Sequence, residues 1–147
     1  YCMYSQKEIE NKLRDIAEGI DVANSDGMNA LLAPEPCGAE VERMSAKIRF
    51  KAQEWEKNQR GEMHGGAISA MFDTAMGMTV LTYSDYKEIS TAELNVSFIR
   101  PFKGASYIFD TEIINLGRAL VRIRAVAYDE ETKKCLASAT ANFVHFG

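Results

Sequence analysis

In NQRGEMHGGAISAMFDTAMG, residues 58–77, an amide at Asn58 precedes His64, Gly65 and Gly66, and a carboxylate, Asp73, interrupts an otherwise apolar run. Carboxylates are rarely placed among apolar residues unless they are paired or used. Asp73 could take a proton from water or attack an electrophile directly, and its apolar surroundings predict desolvation and a raised pKa. Glycine where a helix begins leaves backbone N–H groups free and removes the Cβ that would hold a ligand away. Donors of that kind can stabilise a developing oxyanion. The two histidines, His64 and His145, lie far apart without Cys or carboxylate partners at ligand spacing, so no metal site is expected. GAISA has no second glycine after Ser69 and is not a serine nucleophile elbow.

The elements that must position these groups follow from periodicity. Ser5 and Glu8 form a capping box, and Ile9, Leu13, Ile16 and Ile20 recur at helical spacing, predicting an amphipathic helix that ends near VANSDGMN. LLAPEPCGAE, with two prolines, reads as a connector. In RMSAKIRFKAQ the residues Met44, Ala46, Ile48, Phe50 and Ala52 alternate with charged or polar ones, predicting a strand. A helix apolar nearly all round is predicted at about 65–83, followed by strands STAELNVSFIRP, ASYIFDTEIINL, ALVRIRAVAYDE and KCLASATANFVHF. Their connections are short enough for antiparallel hairpins. The expectation is one α+β domain over 1–147, with a helix and connector at 1–38 and a core at 39–147. In that core an antiparallel sheet of five or six strands wraps a central helix.

Composition narrows the function. The chain has 147 residues, a net charge of −4 and no long basic run, which argues against a dedicated nucleic-acid binder. GGAISAMFDTAMGMTVLTY approaches the length of a membrane span, but Asp73 near its middle and the lack of basic flanks argue for a buried helix. The three cysteines, Cys2, Cys37 and Cys135, form no CxxC pair, and Cys135 reads as strand packing. With a start that turns charged and helical at once, no signal peptide or membrane partner is expected, and the cytoplasm is the natural compartment.

The element order, Asn58-x-x-Gly61-x-x-His64-Gly65-Gly66, Asp73, NVSFIRP at 95–101 and GR at 117–118 together resemble the hotdog-fold thioesterases, specifically the PaaI-like (phenylacetate-pathway-type) acyl-CoA thioesterases, over roughly 40–147. The resemblance implies hydrolysis of an acyl-CoA to a carboxylic acid and CoA, with no cofactor, since coenzyme A is part of the substrate. It implies that Gly65 and Asn58 donate hydrogen bonds to the thioester carbonyl and that Asp73 is the catalytic carboxylate. Thr91 matches a position that orients the water or carboxylate. His64 is expected to orient the loop by a hydrogen bond, with Gly66 beside the substrate. Arg100, Lys103 and Arg118 flank turns where they could meet CoA phosphates. Met71, Phe72, Met76 and Met78 could line an acyl pocket or pack against the sheet.

Distance adds a constraint. If the helix starts at Gly65, Asp73 lies about 12 Å along its axis, too far for both to serve one carbonyl. Gly65 and Asn58 of one subunit are therefore expected to face Asp73 of another, giving a homodimer, or a dimer of dimers, with its sites at the interface. Two alternatives remain: a non-catalytic acyl-CoA-binding module, and a hotdog dehydratase or hydratase, which needs a His–carboxylate pair.

Overall fold

The computed structural model describes residues 4–146; Cys2 lies outside them. Helix α1 spans Gln6–Ala23, and the Ser5–Glu8 capping box forms in both directions. Ile9 and Leu13 are its buried positions, and its polar face is open to solvent. A five-residue helix, α2, follows at Met28–Leu32 and ends on Ala33 in the left-handed region.

The connector reading of LLAPEPCGAE is overturned. Glu35–Glu40 forms strand β1, paired antiparallel to β2 (Ser45–Lys51). Proline is tolerated because β1 lies at the end of the sheet, where one side of the backbone needs no partner. A register shift between Pro36 and Gly38 leaves Cys37 as the extra residue.

The long apolar helix, α3, runs Gly65–Tyr83, the bounds expected from the sequence. Strands β3 (Glu88–Phe98), β4 (Ser106–Leu116), β5 (Leu120–Asp129) and β6 (Cys135–Phe146) complete a six-stranded antiparallel sheet in the order β1-β2-β4-β5-β6-β3. The β4–β5 and β5–β6 connections are hairpins, as expected. The β3–β4 connection is not: β3 pairs with β6, from Glu88 opposite Phe146 to Phe98 opposite Ala137. RPFKGA instead carries the chain across the sheet, leaving β3 as the second edge.

The sheet curls over α3. Phe72 meets Phe109 edge-on at 4.6 Å between centroids, and Phe109 meets Phe50 at 5.1 Å. Such pairs contribute beyond the burial of their area. Polar pins fix the helix about its axis: the hydroxyls of Thr79 and Thr111 are 2.6 Å apart, and Tyr83 donates to the Ser45 carbonyl at 2.7 Å. Met71, Phe72 and Met76 are fully buried in this core. The helix face left partly open carries Gly66, Ser69, Ala70, Asp73 and Gly77. Among the described residues no helix is long and apolar enough to cross a membrane.

Candidate active site

The loop before α3 is built around Asn58. Its Oδ1 accepts the backbone N–H groups of Arg60 at 2.9 Å and Glu62 at 3.2 Å. Its main chain closes the same turn, donating to the Glu62 carbonyl at 2.7 Å and accepting from Gly61 at 3.0 Å. Gly61 sits there at φ +79°, which favours glycine. Asn58 is thus first the brace of the loop. With its oxygen committed, only the Nδ2 hydrogens are left to donate outward.

The loop is anchored beneath by Glu56. That side chain is fully buried and accepts the Gln53 N–H at 2.8 Å, while its carbonyl oxygen accepts the His64 N–H at 2.8 Å. Burial pushes the Glu56 carboxyl above its ordinary pKa, against the hydrogen bonds from Gln53.

His64 is the N-cap of α3. Its Nδ1 accepts the Gly66 N–H at 2.8 Å, so the proton of a neutral ring sits on Nε2. The Gly66 amide is consumed by this cap. The Gly65 amide, at the first helical position, has no hydrogen-bond partner among the described residues, and Gly65 lines a cleft of about 330 Å³. Asn58, Arg100, Phe98 and Ile68 also line that cleft. A helix start with a free N–H adds the positive end of the helix dipole, an arrangement suited to an oxyanion. Arg100 lines the rim while one guanidinium nitrogen donates to the Cys135 carbonyl at 2.6 Å. Lys103 lies 3.8 Å from Glu62, lining an adjacent recess.

Two turns along α3, Asp73 accepts a hydrogen bond from the Thr91 hydroxyl at 2.6 Å. Thr91 reaches it from β3 beside a bulge, where the register with β6 shifts between Thr91 and Glu93. The apolar enclosure expected for Asp73 is absent within one chain, because the residue is half-buried. It lines a second cleft, of about 580 Å³, between α1, α3 and the β3–β6 edge.

The structure therefore brings Gly65, Asn58 and Arg100 together at one end of α3, and Asp73 with Thr91 some 12 Å along it. Arg118 lies in the β4–β5 turn and lines neither cleft; the His145 ring meets its carbonyl oxygen. His145 stacks on Tyr86 at 3.8 Å, well away from His64. A further recess of about 340 Å³ lies on the outer sheet face around Arg43, Asp110 and Arg124 and contains none of these residues. Sequence reasoning missed Glu56 as the anchor of the loop. A glutamate between Trp55 and Lys57, two residues after Glu54, gives no sign that it is buried.

A single long helix wrapped by an antiparallel sheet, with an amide-lined cleft at the helix start and a carboxylate two turns along, defines a hotdog-fold domain. Residues 60–136 match the thioesterase superfamily, and the chain belongs to that family. A Saccharolobus solfataricus protein named as a candidate esterase is 29% identical over 101 residues, 67% of this chain and 67% of its own length. A Thermoplasma acidophilum protein so named is 30% identical over 83 residues, 56% of this chain and 63% of its own. The chain thus spans about two thirds of the length of these curated relatives. Among solved structures, the PaaI protein of E. coli, from the phenylacetic acid degradation operon, superposes with a TM-score of 0.77 at 16% identity, covering 95% of this chain and 96% of PaaI. A Streptococcus mutans protein bound to acetyl CoA superposes at 0.69 with 16% identity, covering 78% of this chain and 89% of that one. At such identities these likenesses speak for the fold.

Proposed function

We propose that this protein is an acyl-CoA thioesterase acting as a homodimer, with each site shared between two chains. The carrying observation concerns β3. It is a sheet edge of 11 residues whose two ends mark the two half-sites. Thr91, near its start, holds Asp73, and Phe98, at its end, is the side chain that a Cβ on Gly65 would meet. A long unpaired edge is a template for another strand. If two copies pair antiparallel along β3 about a two-fold at Asn95, the bulge at Thr91 and Ala92 of one copy falls opposite Phe98 of the other. The Asp73 half-site then meets the Gly65 half-site, twice per dimer. Phe98 and Ile99, exposed at 54% and 53%, would be covered by that contact.

In such a site the thioester oxygen rests on the Gly65 N–H and an Asn58 Nδ2–H of one chain. Asp73 of the other chain, aimed by Thr91, either takes a proton from a water that attacks the carbonyl carbon or attacks that carbon itself, forming a mixed anhydride that water then hydrolyses. The C–S bond breaks, CoA leaves as the thiol, and the acid is released. His64 keeps the Gly65 amide pointed into the cleft by holding Gly66, and Arg100 stands at the rim for CoA phosphates. A dehydratase is disfavoured because the His64 Nδ1 is already engaged by the Gly66 N–H. A reducing, cytoplasmic setting fits the free thiols of Cys37 and Cys135.

The test is thiol release from a panel of aromatic and straight-chain acyl-CoAs, with the wild type and Asp73→Asn side by side. Hydrolysis of at least one substrate, cut by roughly 10²–10⁴-fold in the variant, is the expected result. No hydrolysis across the panel, or an equally active variant, overturns the proposal.

A further inference from the structure

The two oxyanion donors of the proposed site sit on the two arms of one small hairpin, and a buried glutamate stands at its root. The Glu56 carbonyl accepts the His64 N–H at 2.8 Å, Lys57 bridges to Met63, and the Asn58 N–H meets the Glu62 carbonyl at 2.7 Å. Asn58 thus lies on the incoming arm, and Gly65 follows the outgoing one. Most of this hairpin is open to solvent; Glu56, 1% exposed, and Met63, 6% exposed, are the side chains that sink it into the protein. Met63 does so as an apolar residue should. A carboxyl in the equivalent place is costly, since among the described residues no cation pairs with it. What it does, and an apolar side chain could not, is accept the Gln53 N–H at 2.8 Å and so close the short 3-10 turn Glu54–Glu56. Gln53 is in turn fixed from α2: its Nε2 donates to the Leu31 carbonyl at 2.7 Å, and its Oε1 accepts the Trp55 Nε1–H at 3.1 Å. The direction of the Glu56 carbonyl, and with it the placement of His64, is therefore set against a point outside the hairpin.

We propose that Glu56 is a positioning residue of the reaction: through its own carbonyl and His64 it sets the spacing of the Asn58 and Gly65 donors around the thioester oxygen. The inference rests on the shared thioesterase site described above. Substrate does not reach Glu56, whose side chain is fully buried. Its influence falls on the transition state, where the oxygen carries charge, more than on ground-state binding. Each chain lends its amides to one site of the dimer and its carboxylate to the other. The effect of Glu56 is therefore confined to the site that its own chain supplies with amides.

The experiment reads thiol release from the acyl-CoA hydrolysed fastest. Glu56→Met fills a similar volume without an acceptor and should lower kcat by roughly 10- to 100-fold with KM within about twofold, as a displaced donor would. Glu56→Gln keeps an acceptor for the Gln53 N–H and should stay within about threefold of wild type. Glu56→Asp, whose carboxyl is drawn back by one methylene, replaces the methionine variant if that does not fold. Mixed dimers then locate the effect. In a dimer of one Asp73→Asn chain and one Asn58→Ala chain, the live site takes its amides from the first chain and its carboxylate from the second. Glu56→Met added to the Asp73→Asn chain should cut that activity by the same factor as in the homodimer. Added to the Asn58→Ala chain, it should leave that activity as it was. Equal losses from the two placements, an unchanged kcat in Glu56→Met, or a Glu56→Gln protein as slow as Glu56→Met overturns the role of Glu56 and leaves the shared site standing. A mixed dimer that is inactive with Glu56 intact overturns the shared site and this inference together.

Discussion

Gly65→Ala should separate stability from activity. The new methyl group would stand 3.5 Å and 3.7 Å from the Phe98 ring, so the chain can accept it without rearrangement. Replacing glycine by alanine in a helix gains up to about 1 kcal/mol, less at the first position. For a chain of this size that is a rise in Tm of up to roughly 3 °C. The same methyl group would stand against Phe98, which with Gly65 lines the amide cleft. A carbonyl pushed off that donor loses the oxyanion contact, a cost of roughly 10²–10³ in kcat. Gly66→Ala is the internal control. Its Cβ would fall 3.0 Å from the His64 Nδ1, so the imidazole must give by a few tenths of an ångström and the cap is weakened. That weakening, of up to about 1 kcal/mol, offsets the gain in propensity, leaving Tm close to wild type. Differential scanning fluorimetry and thiol release on the best acyl-CoA read both quantities. A Gly65→Ala protein that is at least as stable and turns over within threefold of wild type would refute the role of that amide.

Thr91→Val removes the 2.6 Å hydrogen bond that aims Asp73 while keeping the side-chain shape. It should lower kcat by about tenfold with little change in KM, and Thr91→Ser should recover most of it; equal kcat in all three proteins would make Thr91 a bystander. The acid limb of stability should depend on Arg49. Its guanidinium binds Glu130 through two nitrogens and, with Ser106 assisting, holds that carboxyl at about 2. A depressed carboxylate stabilises the fold above its unfolded pKa of about 4.3 and loses that contribution as pH falls toward the folded value. Arg49→Met should therefore be less stable near neutrality and show a shallower decline between pH 4.5 and 2 in urea titrations. Parallel curves for the two proteins would contradict this.

The features legible in the sequence were those set by local pattern. Ser5 and Glu8 marked the start of α1, and Ala46, Ile48 and Phe50 marked the buried face of β2. The small-residue apolar run gave α3 its bounds because glycine opens it and polar residues close it. Pairing was not legible. RPFKGA is short enough for a hairpin, yet β3 joins β6, a choice made by how the sheet closes over α3 and not by the turn. Strand β1 was hidden because Pro34 and Pro36 argue against a strand unless its edge position is known. At the site, the motif pointed to the residues, and the structure shows how some of their groups are engaged. Asn58 spends its oxygen on its own loop, and Arg118 stands apart from both clefts. The meeting of Thr91 with Asp73 depends on a bulge that no spacing rule announces.

The central claim is that one chain supplies the amide cleft and another the carboxylate, and mixing two inactive chains measures it directly. Asp73→Asn and Asn58→Ala proteins, each nearly silent alone, are denatured together in equal amounts, refolded and assayed for thiol release. Shared sites predict that half the chains enter mixed dimers, each with one intact site, recovering about a quarter of wild-type activity for a random mixture. A mixture no more active than its two parents, with mixed dimers verified by mass, would contradict the account.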